Sequence, residues 1–213
     1  MKNVLSLVSL SMIVFMLITM FEPVVTQAVQ DTIVVSLTVD SGISITSPPD
    51  VTMSNIGTGI DNATGAAVWN VKSNDPDGYT LDVKASTAPA MVSGSNSFAD
   101  YTETPAADPQ TWTVDSGTSQ FGFSGFGVDV VKVNADQYNA SGQTACDNGS
   151  AAVVNPTLGY LGFETTDQRL ATRVGTTSIA GVDTTICFAA GQNAAYAPSG
   201  LYTATITATA LVI

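Results

Sequence analysis

The chain has no histidine and only 6 Lys+Arg against 18 Asp+Glu. Without an imidazole, Ser-His-Asp and Cys-His nucleophile systems, histidine zinc sites and imidazole proton shuttles have no means of operating. The formal net charge of -12 repels phosphate backbones, which excludes nucleic acid as a main partner. Glutamate is nearly missing beyond residue 28, where Glu103 and Glu164 stand alone, and no spacing brings a carboxylate pair together for glycosidase chemistry. Cysteine is limited to Cys146 and Cys187, with no CxxC spacing and no neighbouring His or Lys to lower a thiol pKa. In an exported chain such a pair is expected to form one disulfide, which would stabilise the fold by about 4 kcal/mol in the chain-entropy model.

What is present begins with Lys2, an apolar run from Val4 to Phe21, the breaker Pro23 and a small residue, Ala28. This is the layout of a secretory signal peptide. It predicts residues 1–28 as signal, 29–213 as a single domain, and a secreted or extracellular cell-surface location. A retained anchor is the alternative, because the run lies at the short end of what spans a bilayer.

Beyond the signal, apolar residues recur at every second position in short runs bounded by Gly, Pro, Asn, Asp and Ser. The pattern predicts an all-β protein, a single β-sandwich of about ten short antiparallel strands with one disulfide. A first strand is expected over Thr32–Val39, with Ile33, Val35, Leu37 and Val39 on one face, continuing at Ile43 and Ile45 after an Asp40-Ser41-Gly42 turn. A hairpin is expected between 67–73 and 79–85, because Pro76 and Gly78 equip the Asn74–Gly78 segment to reverse the chain. From Thr87 to Pro109 the alternation loosens. Strands resume at 111–114, 120–123, 128–133, 158–163, 170–173 and 184–189, and 200–213 is the longest run. Its alternation of Tyr202, Ala204, Ile206, Ala208, Ala210 and Val212 with threonines suits a solvated β-surface poor in charge. The first and last strands are expected near one another or at an edge, where an uncharged apolar strand is a pairing hazard unless covered or used.

Several motifs resemble sites. Thr-Val-Asp-Ser-Gly occurs at 38–42 and again at 113–117, echoing how aspartic proteases present two carboxylates; Asp-Ser-Gly is equally an ordinary strand-ending turn, the preferred reading. Around Asp75 and Asp77 the EF-hand pattern fails at its first and twelfth positions, Ser73 and Lys84. The two aspartates are left as candidates for a looser surface calcium site. Gly57-Thr58-Gly59 lacks the third glycine of a dinucleotide loop. Trp69 and Trp112 are candidates for a polymer- or carbohydrate-binding platform, although aromatics on alternating strands are more often core.

Trp69-Asn70-Val71 leading into Gly78-Tyr79-Thr80-Leu81, together with Tyr202 and Ile206 of the last run, resembles the WxL family of bacterial surface proteins. Those are secreted β-rich domains held non-covalently to the cell wall. Ala208 and Ala210 stand where that family has Trp and Leu. The final strand is also similar to the last strand of spore-coat-U-type and chaperone-usher pilin subunits, whose strands pass between neighbours. That likeness implies a strand-exchange segment at 29–39, carried by Ile33, Val35, Leu37 and Val39.

The expectation from sequence is a non-enzymatic exported surface or structural protein, a coat, adhesion or fibre subunit acting through sheet edges and loops. A cell-wall or carbohydrate-binding module is the alternative. Its partners would be copies of itself or cell-wall polymer, with no nucleic acid and no cofactor.

Overall fold

A computed structural model describes residues 33–58, 62–104, 108–127, 129, 138 and 142–213. The chain divides into two units, Met1–Val39 and Asp40–Ile213. In the first unit, residues 33–39 carry no regular structure, and the side chains of Ile33, Val34, Val35, Leu37 and Val39 are 73–88% exposed. The strand expected there does not form: residues 33–39 have no ladder partner among the described residues. Thr32 lies outside the described residues.

The second unit is built of strands, and no α-helix occurs among the described residues. In chain order the strands are β1 (Ile43–Thr46), β2 (Asn62–Ser73), β3 (Tyr79–Ala85), β4 (Met91–Ser93), β5 (Asn96–Asp100), β6 (Gln110–Thr111), β7 (Thr118–Phe126), β8 (Gly159–Gly162), β9 (Gln168–Arg173), β10 (Val182–Asn193) and β11 (Ile206–Val212). They make two sheets. The larger runs β1-β2-β10-β7-β5-β4, with β8 added to β7 and β6 to β8, and curls as a half-barrel; the smaller is β11-β3-β9. All pairings are antiparallel except that of β5 with β7.

The expected hairpin at Asn74–Gly78 is instead a crossing between sheets. β2 pairs with β1 and β10, whereas β3 pairs with β11 and β9. Both strands still turn alternate residues into one core, so a hairpin and an arch share the same side-chain pattern and differ only in backbone partners. Gly78 makes the arch possible: its φ is +102°, and a Cβ there would lie 1.9 Å from the Arg173 carbonyl oxygen. Other boundaries also move. The longest strands are β2 and β10, 12 residues each and internal to the sheet, not the terminal runs. β4 and β5 form where the alternation loosens, only Gln110–Thr111 pairs in the 111–114 region, and Val128 with 130–133 lies outside the described residues.

The main core lies between the sheets. Ala67, Trp69 and Val71 of β2, Phe121 and Phe123 of β7, and Ile186 and Phe188 of β10 meet Tyr79, Leu81 and Val83 of β3 and Leu170 of β9. Phe163 stacks on Phe121 and Phe123 at centroid distances of 5.3 and 4.5 Å. The opposite side of β10 is covered as well: Cys187 and Ala189 join Cys146, Val154, Leu158, Tyr160 and Tyr101 in a second cluster. Cys146 and Cys187 are disulfide-bonded with their Cα atoms 5.2 Å apart, as the sequence led us to expect. The bridge fastens the 142–158 loop over this face. Asn155 orders the loop from within, its amide donating to Gln143 Oε1 and the Ala145 carbonyl while its Oδ1 accepts from the Thr157 amide.

Candidate functional site

Each sheet ends in an edge strand, and the edges differ in chemistry. β9 ends the smaller sheet with two of the six cations, Arg169 and Arg173. Arg169 pairs with the buried Asp82 of β3, and Arg173 Nη1 lies 3.1 Å from Asp129 Oδ2. The same carboxylate oxygen accepts from the Tyr79 hydroxyl at 3.1 Å. Burial first, and then the Asp129 charge, raise the Tyr79 pKa well above its ordinary value. This edge is protected by charge, as exposed strands usually are.

The opposite edge of the smaller sheet, β11, carries no charged residue along Ile206–Val212, and neither does β1, the edge of the larger sheet, along Ile43–Thr46. The Cα traces of β1 and β11 approach within 8 Å, yet no ladder joins them. Between them Ile43 and Ile45 of β1 and Ile206, Ala208 and Ala210 of β11 pack against the main core while remaining partly exposed. Leu211, Val212 and Ile213 are exposed beside them. The core is thus open along one seam, bordered by two uncharged edges whose outward backbone groups have no ladder partner among the described residues.

The two Thr-Val-Asp-Ser-Gly copies behave differently. At 115–117 the chain turns: Gly117 has φ +81°, and the Asp115 carbonyl accepts from both the amide and the hydroxyl of Thr118. At 40–42 the expected turn is not made. There the side chain of Asn74 accepts from the Gly42 amide at 2.6 Å and donates to the Asp40 carbonyl at 2.9 Å, and the Asn74 amide donates to the Gly42 carbonyl at 3.2 Å. These bonds extend the β1–β2 register, in which Ile43 faces Ser73, past the end of the ladder. The Asp115 carboxylate serves its own turn, its Oδ2 accepting from the Gln120 side-chain amide.

The remaining sequence candidates are dispersed. Trp69 is buried in the main core, whereas Trp112 is half-buried against the second cluster. The Trp112 ring stacks on Tyr101 at 4.8 Å and its Nε1 donates to Asn62 Oδ1. Asp75 Oδ1 accepts from the Asp77 amide, closing the arch. Among the described residues no three His, Cys, Asp or Glu side chains gather as a metal site. A hollow of about 390 Å³ between Pro48–Thr52 and Gly65–Val68 has Asp50 as its one ionisable residue. Sequence reasoning expected the first and last strands near one another or at an edge and flagged an uncharged edge as a hazard; it placed the first strand at 32–39, whereas the edge that lies beside β11 is β1. Freedom from charge alone does not mark these two strands, since β4, β6, β7 and β8 are also uncharged; what was lacking was the knowledge that β1 and β11 end their sheets side by side. Comparison of the chain with protein-family models, with curated proteins and with solved structures finds no match.

Proposed function

We propose that this protein is an exported, non-enzymatic structural subunit, a β-sandwich whose copies join through the β1/β11 seam. The observation that carries this reading is the uncharged, partly open seam itself, set against the arginine-bearing β9 edge. The disulfide accords with an oxidising location. In this reading residues 33–39 of one copy supply an added strand to the seam of the next, offering Ile33, Val35, Leu37 and Val39 as the apolar face. Both surfaces are uncharged, so the junction brings no acids together in a chain of net charge -12.

Size-exclusion chromatography with light scattering, and electron microscopy, of the purified protein at rising concentration test this. Concentration-dependent assembly is expected, and Leu37→Asp should abolish it by placing an unpaired charge in the seam. A strict monomer at high concentration refutes the reading.

A further inference from the structure

Resting on that reading, we propose that the strand passed between copies lies antiparallel on β11 of its neighbour, with Ile33 opposite Val212 and Val39 opposite Ile206. The backbone of β11 fixes which of its groups are free. The Thr205 carbonyl accepts from the Ser86 amide, and the Ile213 amide donates to the Gly78 carbonyl. Odd-numbered residues of this run thus turn their amides and carbonyls toward β3. Ile206, Ala208, Ala210 and Val212 present theirs to the open edge, where no strand among the described residues is laddered to them.

Side chains then set the register. Ile206, Ala208 and Ala210 pack on the core, so the apolar face of an incoming strand, Ile33, Val35, Leu37 and Val39, has to fall opposite the even-numbered positions. Full overlap of 33–39 with the seven residues of β11 leaves two directions. In both, Val35 and Leu37 stand over Ala208 and Ala210, the small side chains that leave the seam partly open. The solvent face decides between them. Antiparallel, Val34 meets Leu211, Ser36 meets Thr209 and Thr38 meets Thr207, apolar on apolar and hydroxyl on hydroxyl. Val34 and Leu211 are 87% and 53% exposed in the single chain. Parallel, Val34 would meet Thr207 and Thr38 would meet Leu211. β1 is the poorer acceptor, because it offers four positions and sets Ile43 and Ile45 against the large incoming side chains. Its Cα atoms come within 8 Å of those of β11, less than the roughly 9.6 Å that two strand spacings require. The strand therefore cannot ladder with both edges, and β1, paired with β2 alone, is the one to move aside.

Disulfide trapping in the full protein, with the native bridge intact, tests both direction and register. Val34→Cys protein is combined at low concentration with either Leu211→Cys or Thr207→Cys protein, concentrated and mildly oxidised, and the cross-linked pairs are quantified by mass spectrometry. Antiparallel pairing sets 34 against 211 at a pair that exchanges no backbone bonds, with Cα atoms about 4.5 Å apart. Positions 34 and 207 are then separated by roughly 13 Å along the strands, beyond the ~7 Å that a disulfide can span. The 34–211 bridge should exceed the 34–207 bridge at least about tenfold. The inference is overturned if that excess is absent, whether because 34–207 forms as readily or because the parent assembles and neither bridge forms. A parent that light scattering shows to be a strict monomer overturns the proposed function, and this inference with it.

Discussion

Removing the disulfide, by changing Cys146 and Cys187 together to Ala, tests how the second face of the larger sheet is held. The bridge spans 41 residues of sequence. Closing a loop of that length removes denatured-state entropy worth about 4 kcal/mol at 25 °C. Domains of this size have total stabilities of about 5–15 kcal/mol, so the loss is a large share of the whole. With a urea slope of about 2 kcal/mol/M, the unfolding midpoint should fall by about 2 M. The structure adds a second expectation, because Cys187 is fully buried and Cys146 nearly so. A reductant should leave the native protein untouched until urea opens it. Chemical unfolding followed by far-UV circular dichroism, with thiol titration in parallel, reads both. A midpoint shift below about 0.5 M, near 1 kcal/mol, would show that the 142–158 loop is held by packing and the Asn155 network alone and would refute the entropic account.

Two further perturbations probe the packing. A Cβ on Gly162 would sit 2.1 Å from the Tyr101 carbonyl oxygen, a backbone atom that cannot swing away. Gly162→Ala should therefore cost about 3 kcal/mol, whereas Gly94→Ala, with open space around it and only its φ of +60° to oppose it, should cost about 1 kcal/mol; thermal unfolding compares them, and equal losses would contradict the geometry. Asp100 has a raised pKa because it is buried, an effect opposed by the Ala90 amide that donates to it. A carboxyl whose folded pKa lies above its unfolded value costs stability once ionised, and that cost disappears as pH falls below the unfolded value near 3.8. Asp100→Asn, which keeps an acceptor for Ala90, should be more stable than the parent at neutral pH, with an advantage that shrinks in acid; an advantage that grows in acid would be contrary.

Much of the fold was legible where one physical rule acts alone. Alternation at Tyr79, Leu81, Val83 and Ala85 marked β3, and the presence of just two cysteines marked their own bridge. The rest depended on partners distant in sequence. Nothing local distinguishes a hairpin at Asn74–Gly78 from an arch, because side-chain alternation is blind to which strand receives the backbone bonds. The Asp40–Gly42 segment failed as a turn for a similar reason: its conformation is set by Asn74, 32 residues on, while the identical pentapeptide at 113–117 obeys the local rule. β4 and β5 escaped notice because Ser, Asn and Gly dominate 93–97, a composition that weakens the strand signal. Of the candidate site, the apolar alternation of 33–39 and the uncharged terminal strand could be read directly; that β1, and not 32–39, is the strand beside β11 could not.

The arch carries a consequence for how the molecule acquires its shape. Among the described residues β4 and β5 form the one tight hairpin, while β2, paired early with β1, must wait for β10 on its other side, and β3 must wait for β9 and β11. Contacts of such long sequence separation place folding in the millisecond-to-second range. A nascent chain that has not yet presented β11 would therefore leave one side of the central strand of the smaller sheet unpaired, so that sheet can be completed only after almost the whole second unit has been made.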